Sequence, residues 1–241
     1  MRLVPIVAVL WPFLLLSAAG RAAEDPAPNT LSEKEKADGW KLLFDGKSTK
    51  GWHKYKGKEV GDRWKVVDGT LSLVHKDGKD GGDIVTDDTF DSFELSIEWK
   101  VTPGANSGIM YRVEESEDSP GFTGPEYQIL DNAKHPDGRK KETSAASCYG
   151  LYAPSEDVTT PVGEWNLARI VVKGDRVEHW LNGKKVVEYE FGSDDWNKRV
   201  AASKFKEFKK FGLVKKGEID LQDHGDDVSY RNIKIRTLAA K

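Results

Sequence analysis

Between Asp91 and Val101 apolar and polar residues alternate, with Phe93, Leu95, Ile97 and Trp99 on one face and Glu94, Ser96, Glu98 and Lys100 on the other. This period of two predicts a strand with one side in a core and the other in water. Ser107 to Val113 follows the same rule, setting Ile109, Tyr111 and Val113 against Gly108, Met110 and Arg112. Glu126 to Ile129 sends Glu126 and Gln128 one way and Tyr127 and Ile129 the other. Trp165–Val172, Arg176–Leu181 and Lys184–Phe191 predict a three-stranded meander, turned at Lys173-Gly174-Asp175 and at Asn182-Gly183, a pair suited to the positive dihedrals of a type I′ turn. Glu218–His224 and Val228–Thr237 are two last strands joined through Gly225-Asp226-Asp227. Trp40–Phe44 opens the series as an edge strand, and from Arg63 to Val85 the breaks at Asp68-Gly69 and at the polar loop Lys76–Gly82 predict hairpins. Two stretches depart from this period. Leu31–Lys36 is a short capped helix or a solvated lead-in. In Ser193–Gly212 an N-cap serine, two first-turn aspartates and Trp196, Val200, Phe205, Phe208 and Phe211 at near-helical spacing predict a helix, or helix plus turn.

The first residues carry no strand pattern. Arg2, an apolar run from Leu3 to Leu16 and the small residues Ser17-Ala18-Ala19-Gly20 have the composition of a secretory signal, assigned to residues 1–23, with residues 24–38 as an exported linker. The apolar run is shorter than the ~20 residues of a membrane helix, so the expectation is a periplasmic or extracellular protein without a membrane anchor after cleavage. Without Arg2 and Arg21 the 37 basic residues fall to 35 against 40 acidic ones, with no dense basic block, which argues against a nucleic-acid partner. Cys148 is the only cysteine, so no internal disulfide can form. The roughly 200 residues from Gly39 to Leu238 suit one β domain, a sandwich or barrel.

The chemistry gathers on two strands. Gly124 to Gly138 reads as a strand running into a polar turn, and Glu126 beside Gln128 puts a carboxylate and an amide on one surface, as a sugar hydroxyl or a proton transfer requires. Glu218, Asp220, Gln222 and His224 form a wholly polar second face, with Ile219 and Leu221 turned to the core. Arg112 lies on the face away from Ile109 and Tyr111, available to a ligand or paired with a surface Glu. The second strand brushes against the Glu-x-Asp-x-Glu pattern of retaining β-glucanases, but Gln222 stands where that pattern needs an acid, which disfavours ordinary two-carboxylate hydrolysis.

The chain resembles the 3-keto-disaccharide hydrolase domain family through Trp40-Lys41-Leu42-Leu43-Phe44-Asp45-Gly46, Ser107 to Arg112, Glu126 to Asp131 with His135-Pro136-Asp137, Gly163-Glu164-Trp165-Asn166, and Leu221 to Gly225 with Arg231-Asn232-Ile233. The resemblance spans roughly Gly39 to Thr237. It implies an all-β, concanavalin A-like jelly roll of two antiparallel sheets, a single domain over 39–238 with one short helix in its C-terminal third. It also implies cleavage of glycosides already oxidised to a ketone at the sugar C3. A C3 ketone acidifies the C2 proton, so its removal, expulsion of the C1 group and addition of water give net hydrolysis. Such a site needs a base, an enolate stabiliser and a leaving-group acid. The residues expected to act are His224 or Glu126 as base or acid and Arg112 as the cation at the enolate. Gln128, Asp131, His135, Tyr149 and Gln222 are expected to bind substrate. A divalent metal held by Glu126 with a His and a carboxylate would replace Arg112 as electrophile, although no spacing is diagnostic of one. His135 could equally be a loop residue, and His179 is expected on a wet strand face. The alternative function is a carbohydrate-binding module without turnover.

Overall fold

The computed structural model describes residues 27–75 and 81–239; the leader and most of the polar loop after Val74 lie outside them. Thirteen strands follow the alternation: β1 (Lys41–Leu42), β2 (Trp52–Lys54), β3 (Trp64–Val67), β4 (Thr70–Leu73), β5 (Ile84–Thr86), β6 (Phe93–Val101), β7 (Asn106–Val113), β8 (Glu126–Leu130), β9 (Asn166–Lys173), β10 (Arg176–Leu181), β11 (Lys184–Glu190), β12 (Glu218–Leu221) and β13 (Val228–Thr237). They form two antiparallel sheets. One runs β11-β10-β9-β6-β13-β4-β3, with β1 on β13, and the other β2-β5-β12-β7-β8. The expected sandwich and its meander are both present. Asp68 and Gly69 take positive φ in the β3–β4 turn, as a tight hairpin needs. The further hairpin expected between β4 and β5 does not form, because these strands belong to different sheets.

The core lies between the sheets. Phe93, Leu95, Ile97 and Trp99 of β6 are buried with Ile109 and Tyr111 of β7, Tyr127 and Ile129 of β8, and Ile219 and Leu221 of β12. The opposite face of β6 is less wet than alternation predicts: Glu94 is buried because Arg169 donates to it at 2.8 Å and Arg236 binds it from the other side. His179 on β10 is fully buried rather than solvated. Burial lowers its pKa to about 4, so the ring is neutral, with Nδ1 3.0 Å from the Ala146 carbonyl and Nε2 2.7 Å from the Tyr111 hydroxyl. This neutral imidazole ties the core to the loop after β8.

The two stretches that depart from the strand period form a short capped helix and a helix followed by a turn, as expected. α1 (Glu33–Ala37) is closed by a capping box of Ser32 and Glu35. The 193–212 stretch divides into α2 (Asp194–Ala201), capped by Ser193, and a 3-10 turn at Lys204–Glu207. Aromatic stacking docks it: Trp196 lies parallel to Phe211 at 5.8 Å between ring centroids, and Phe205 stacks on Phe211 at 4.2 Å.

Candidate active site

The outer face of the five-stranded sheet carries the polar residues of β7, β8 and β12. Cross-strand register places Gly108 opposite Gln128, Met110 opposite Glu126, and Asp220 opposite Met110. Gly108 makes the site possible, because a Cβ there would sit 2.3 Å from Glu126 Oε1 and 2.8 Å from its Cδ. Without that Cβ the Glu126 side chain lies across the strand. The segment after the loop runs beside β8, with Gln128 N donating to the Ser147 carbonyl at 3.2 Å and Tyr149 N to the Glu126 carbonyl at 3.0 Å. This backbone pairing brings Tyr149 alongside Glu126.

One cleft is lined by Asn106, Glu126, Gln128, Tyr149, Lys204, Gln222 and His224. Five residues expected from the sequence thus converge: Glu126, Gln128, Tyr149, Gln222 and His224. His135 stands at the rim, its ring edge-on to His224 with centroids 6.1 Å apart, and its Nδ1 accepts from Asp137 N at 3.2 Å. Gln128 is buried and its amide bonds the Thr143 carbonyl at 3.3 Å, while His224 is exposed at the mouth. The buried oxygens Asn106 Oδ1 and Gln222 Oε1 have no hydrogen-bond partner among the described residues. Buried polar atoms are rarely left unpaired, so both are suited to receive hydroxyl groups of a ligand.

Burial pushes the Glu126 carboxyl up to about 8, with Lys204 opposing the shift and Asp83 and Asp137 reinforcing it. Asp220, wholly buried with neither carboxyl oxygen hydrogen-bonded among the described residues, is raised well above the usual carboxylate range by burial and then by Asp83, Glu126 and Glu218. Asp83 rises to about 6 for the same leading reason. At neutral pH Glu126 therefore keeps its proton in the cleft, the state a general acid requires. Tyr149 donates to Asp137 Oδ2 at 3.3 Å, and burial, with the carboxylates of Asp137 and Glu126 behind it, pushes its hydroxyl up to about 12.

Two expected site residues lie elsewhere. Arg112 takes φ +56° and occupies a β-bulge, since β12 pairs Glu218 with Val113 and Ile219 with Tyr111, leaving Arg112 without a partner. The bulge turns its side chain off the cleft face. The guanidinium is buried instead against the β9–β10 turn, donating to the Gly174 carbonyl at 2.6 Å, 3.5 Å from Asp91 and 4.9 Å over the Phe191 ring. Asp131 is spent on the backbone of two turns, accepting from Gly104 N at 2.7 Å and Ala133 N at 3.0 Å. It borders a separate cavity of about 700 Å³, in which Asn132 donates to Asp157 at 3.0 Å and Asn166 accepts from Thr160 N at 2.9 Å. Asp223 likewise holds loops, through Gly82 N at 2.7 Å and Gly225 N at 2.9 Å.

The sequence singled out neither Asn106 nor Lys204 of the cleft, and Lys204 is the charged one. It follows Ser203, which caps the 3-10 turn, and precedes the buried Phe205, so it projects outward with its Nζ 4.6 Å over the Tyr149 ring. Its only signal was a lysine beside an aromatic in an irregular stretch. As for a metal, no group of three or more His, Cys, Asp or Glu among the described residues is arranged to hold one.

Residues 39–236 match the 3-keto-alpha-glucoside-1,2-lyase-like domain family. The chain belongs to that family. It is 37% identical over 230 residues to a 3-keto-disaccharide hydrolase of Bacteroides thetaiotaomicron, covering 84% of this chain and 79% of that protein. Two crystal structures of glycosyl hydrolases from Parabacteroides distasonis, so described as putative, share the fold: one at 34% identity and TM-score 0.81, covering 88% of this chain and all of the other, and one at 31% and 0.66, covering 83% and 99%.

Proposed function

We propose that this glycoside-cleaving enzyme acts on 3-keto disaccharides by elimination across C1–C2 followed by hydration, in the cleft built on Glu126. The observation that carries the reading is the Glu126 carboxyl lying over Gly108, in one cleft with His224, Lys204 and three amide side chains, where burial raises its pKa. An acid at the floor and an imidazole at the mouth divide the labour. His224 takes the C2 proton, the C2–H electron pair becomes the C1–C2 double bond through the enolate, and the C1–O bond breaks as Glu126 protonates the departing oxygen. Water then adds its hydroxyl to C1 and a proton returns to C2. Lys204 supplies the positive charge that Arg112 cannot, available to the anion developing during these steps. Asn106 and Gln222 receive sugar hydroxyls. The N-terminal leader supports export, so the reaction would take place outside the cytoplasm.

The test is incubation with a 3-keto-glucoside and its unoxidised parent in deuterated water, with and without chelator. Cleavage of the keto compound alone, with deuterium appearing at C2, is the expected result. Binding of either compound without turnover would replace the reading by a sugar-binding module, and loss of turnover to chelator would require a metal site.

The Lys204 charge has its own signature. A cation beside a carboxyl favours its ionised form, so Lys204→Met should move the alkaline limb of kcat to higher pH as well as lowering kcat. An unmoved limb would mean that the two groups are not coupled.

A further inference from the structure

Behind the reaction cleft lies a second cavity of about 410 Å³, within the ~300–1,000 Å³ span of small-molecule sites. The two share Tyr149 and Lys204 as a common wall. Its other lining includes Thr143, Arg199, Ser203 and Phe205. Apolar and hydrogen-bonding surface thus alternate, the mixture that a pyranose ring with its hydroxyls presents. Its polar groups are held in place. Arg199 is fixed by bonds to Asp195 Oδ2 at 2.8 Å and the Leu151 carbonyl at 2.9 Å, and its guanidinium lies 4.4 Å over the Tyr152 ring. Phe205 is locked by its stack on Phe211, and Gly150, at φ +69°, brings the backbone against the Phe205 ring.

We infer that this second cavity is the subsite for the leaving sugar, and that the glycosidic bond crosses the Tyr149–Lys204 wall. The inference rests on the proposed function and deepens it by giving the second sugar of the disaccharide a place in the fold, so that a carbohydrate on the far side of the bond that breaks is preferred to a small alkyl group. The geometry supports it from both directions. Glu126 must reach the departing oxygen, so that oxygen lies on the Glu126 side of Tyr149, and what departs with it extends towards the next available space. That space is the cavity under α2. The reacting ring sits at the mouth of the cleft, by Gln222 and His224, since the cleft itself encloses only about 90 Å³.

Ala202 lines this cavity but not the reaction cleft, and it is exposed at the end of α2. Ala202→Trp should fill the cavity without entering the core. The reading is the ratio of kcat/KM for a 3-keto disaccharide to that for the methyl 3-keto-glucoside. We expect this ratio to fall about tenfold or more, in line with what pocket shape contributes to discrimination. Ala201→Trp, also exposed but not lining the cavity, should leave the ratio unchanged. A ratio that Ala202→Trp does not move, or an equal loss on both substrates, would overturn the inference. Calorimetric titration with the unoxidised disaccharide and methyl glucoside reads the same cavity without turnover. Weaker disaccharide binding alone in Ala202→Trp supports the subsite. Equal binding of the two sugars by the wild-type protein overturns it. Absent turnover of both keto compounds by the wild type, with disaccharide binding still sensitive to Ala202→Trp, would fault the proposed chemistry and not the subsite.

Discussion

Glu126→Gln should lower kcat by roughly 10²–10⁴-fold, the usual contribution of a positioned acid or base, while leaving the fold intact. The amide keeps the shape of the carboxyl and its place over Gly108 but cannot give up a proton to the glycosidic oxygen. The same group sets the pH dependence. A general acid must carry its proton, so wild-type kcat should fall as pH rises past about 8, where Glu126 ionises. Residual activity of Glu126→Gln should lack that limb. Stability should move the opposite way. The Glu126 pKa is higher in the folded state than in the unfolded chain, so stability is fully present below the ordinary value of 4.5 and declines as pH climbs towards about 8. The Gln variant, free of that ionisation, should melt at or above the wild-type temperature at pH 8–9. Steady-state kinetics and thermal melts across pH 5–10 check both. A Gln variant of unchanged kcat would remove Glu126 from the chemistry.

The second large effect concerns stability. Arg112→Ala should lower the melting temperature by about 5–15 °C, from a loss of roughly 2–4 kcal/mol in a domain of this size. The substitution empties the space under Phe191 and leaves the Gly174 carbonyl without its 2.6 Å donor. It also separates the β-bulge from the β9–β10 turn. Turnover at a temperature where the variant is folded should remain near wild type, because the guanidinium faces away from the cleft. A large fall in kcat with an unchanged melting temperature would return Arg112 to the catalytic role that simple alternation assigns it.

Much of the site was legible in the sequence. Glu126, Gln128 and Gln222 could be placed on one surface because strand periodicity is enforced locally: a slip of one residue would drive Tyr127, Ile129, Ile219 and Leu221 out of the core. Asn182-Gly183 and Asp68-Gly69 fixed their turns by backbone sterics, and both motifs take positive φ as expected. Arg112 shows where the same reasoning fails. Alternation holds only while pairing is regular, and the bulge that reverses this side chain depends on the register of β12, more than a hundred residues away in sequence. Asp131 carried the residue type of a sugar ligand, yet an aspartate after a strand also suits turn backbone, and that local demand prevailed.

The sequence by itself determined the strands, the side chains that face their core, and a carboxylate beside amides on one face, because burial at a period of two fixes which way each residue points. Only the tertiary structure decided which charges meet on that face. Tyr149 arrives because residues 146–149 pair with β8, and Lys204 because the stacking of Trp196, Phe205 and Phe211 docks an irregular segment across the sheet. The proton on Glu126 likewise comes from its surroundings: removal from water outweighs the nearby ammonium group, and no neighbour in sequence encodes that balance.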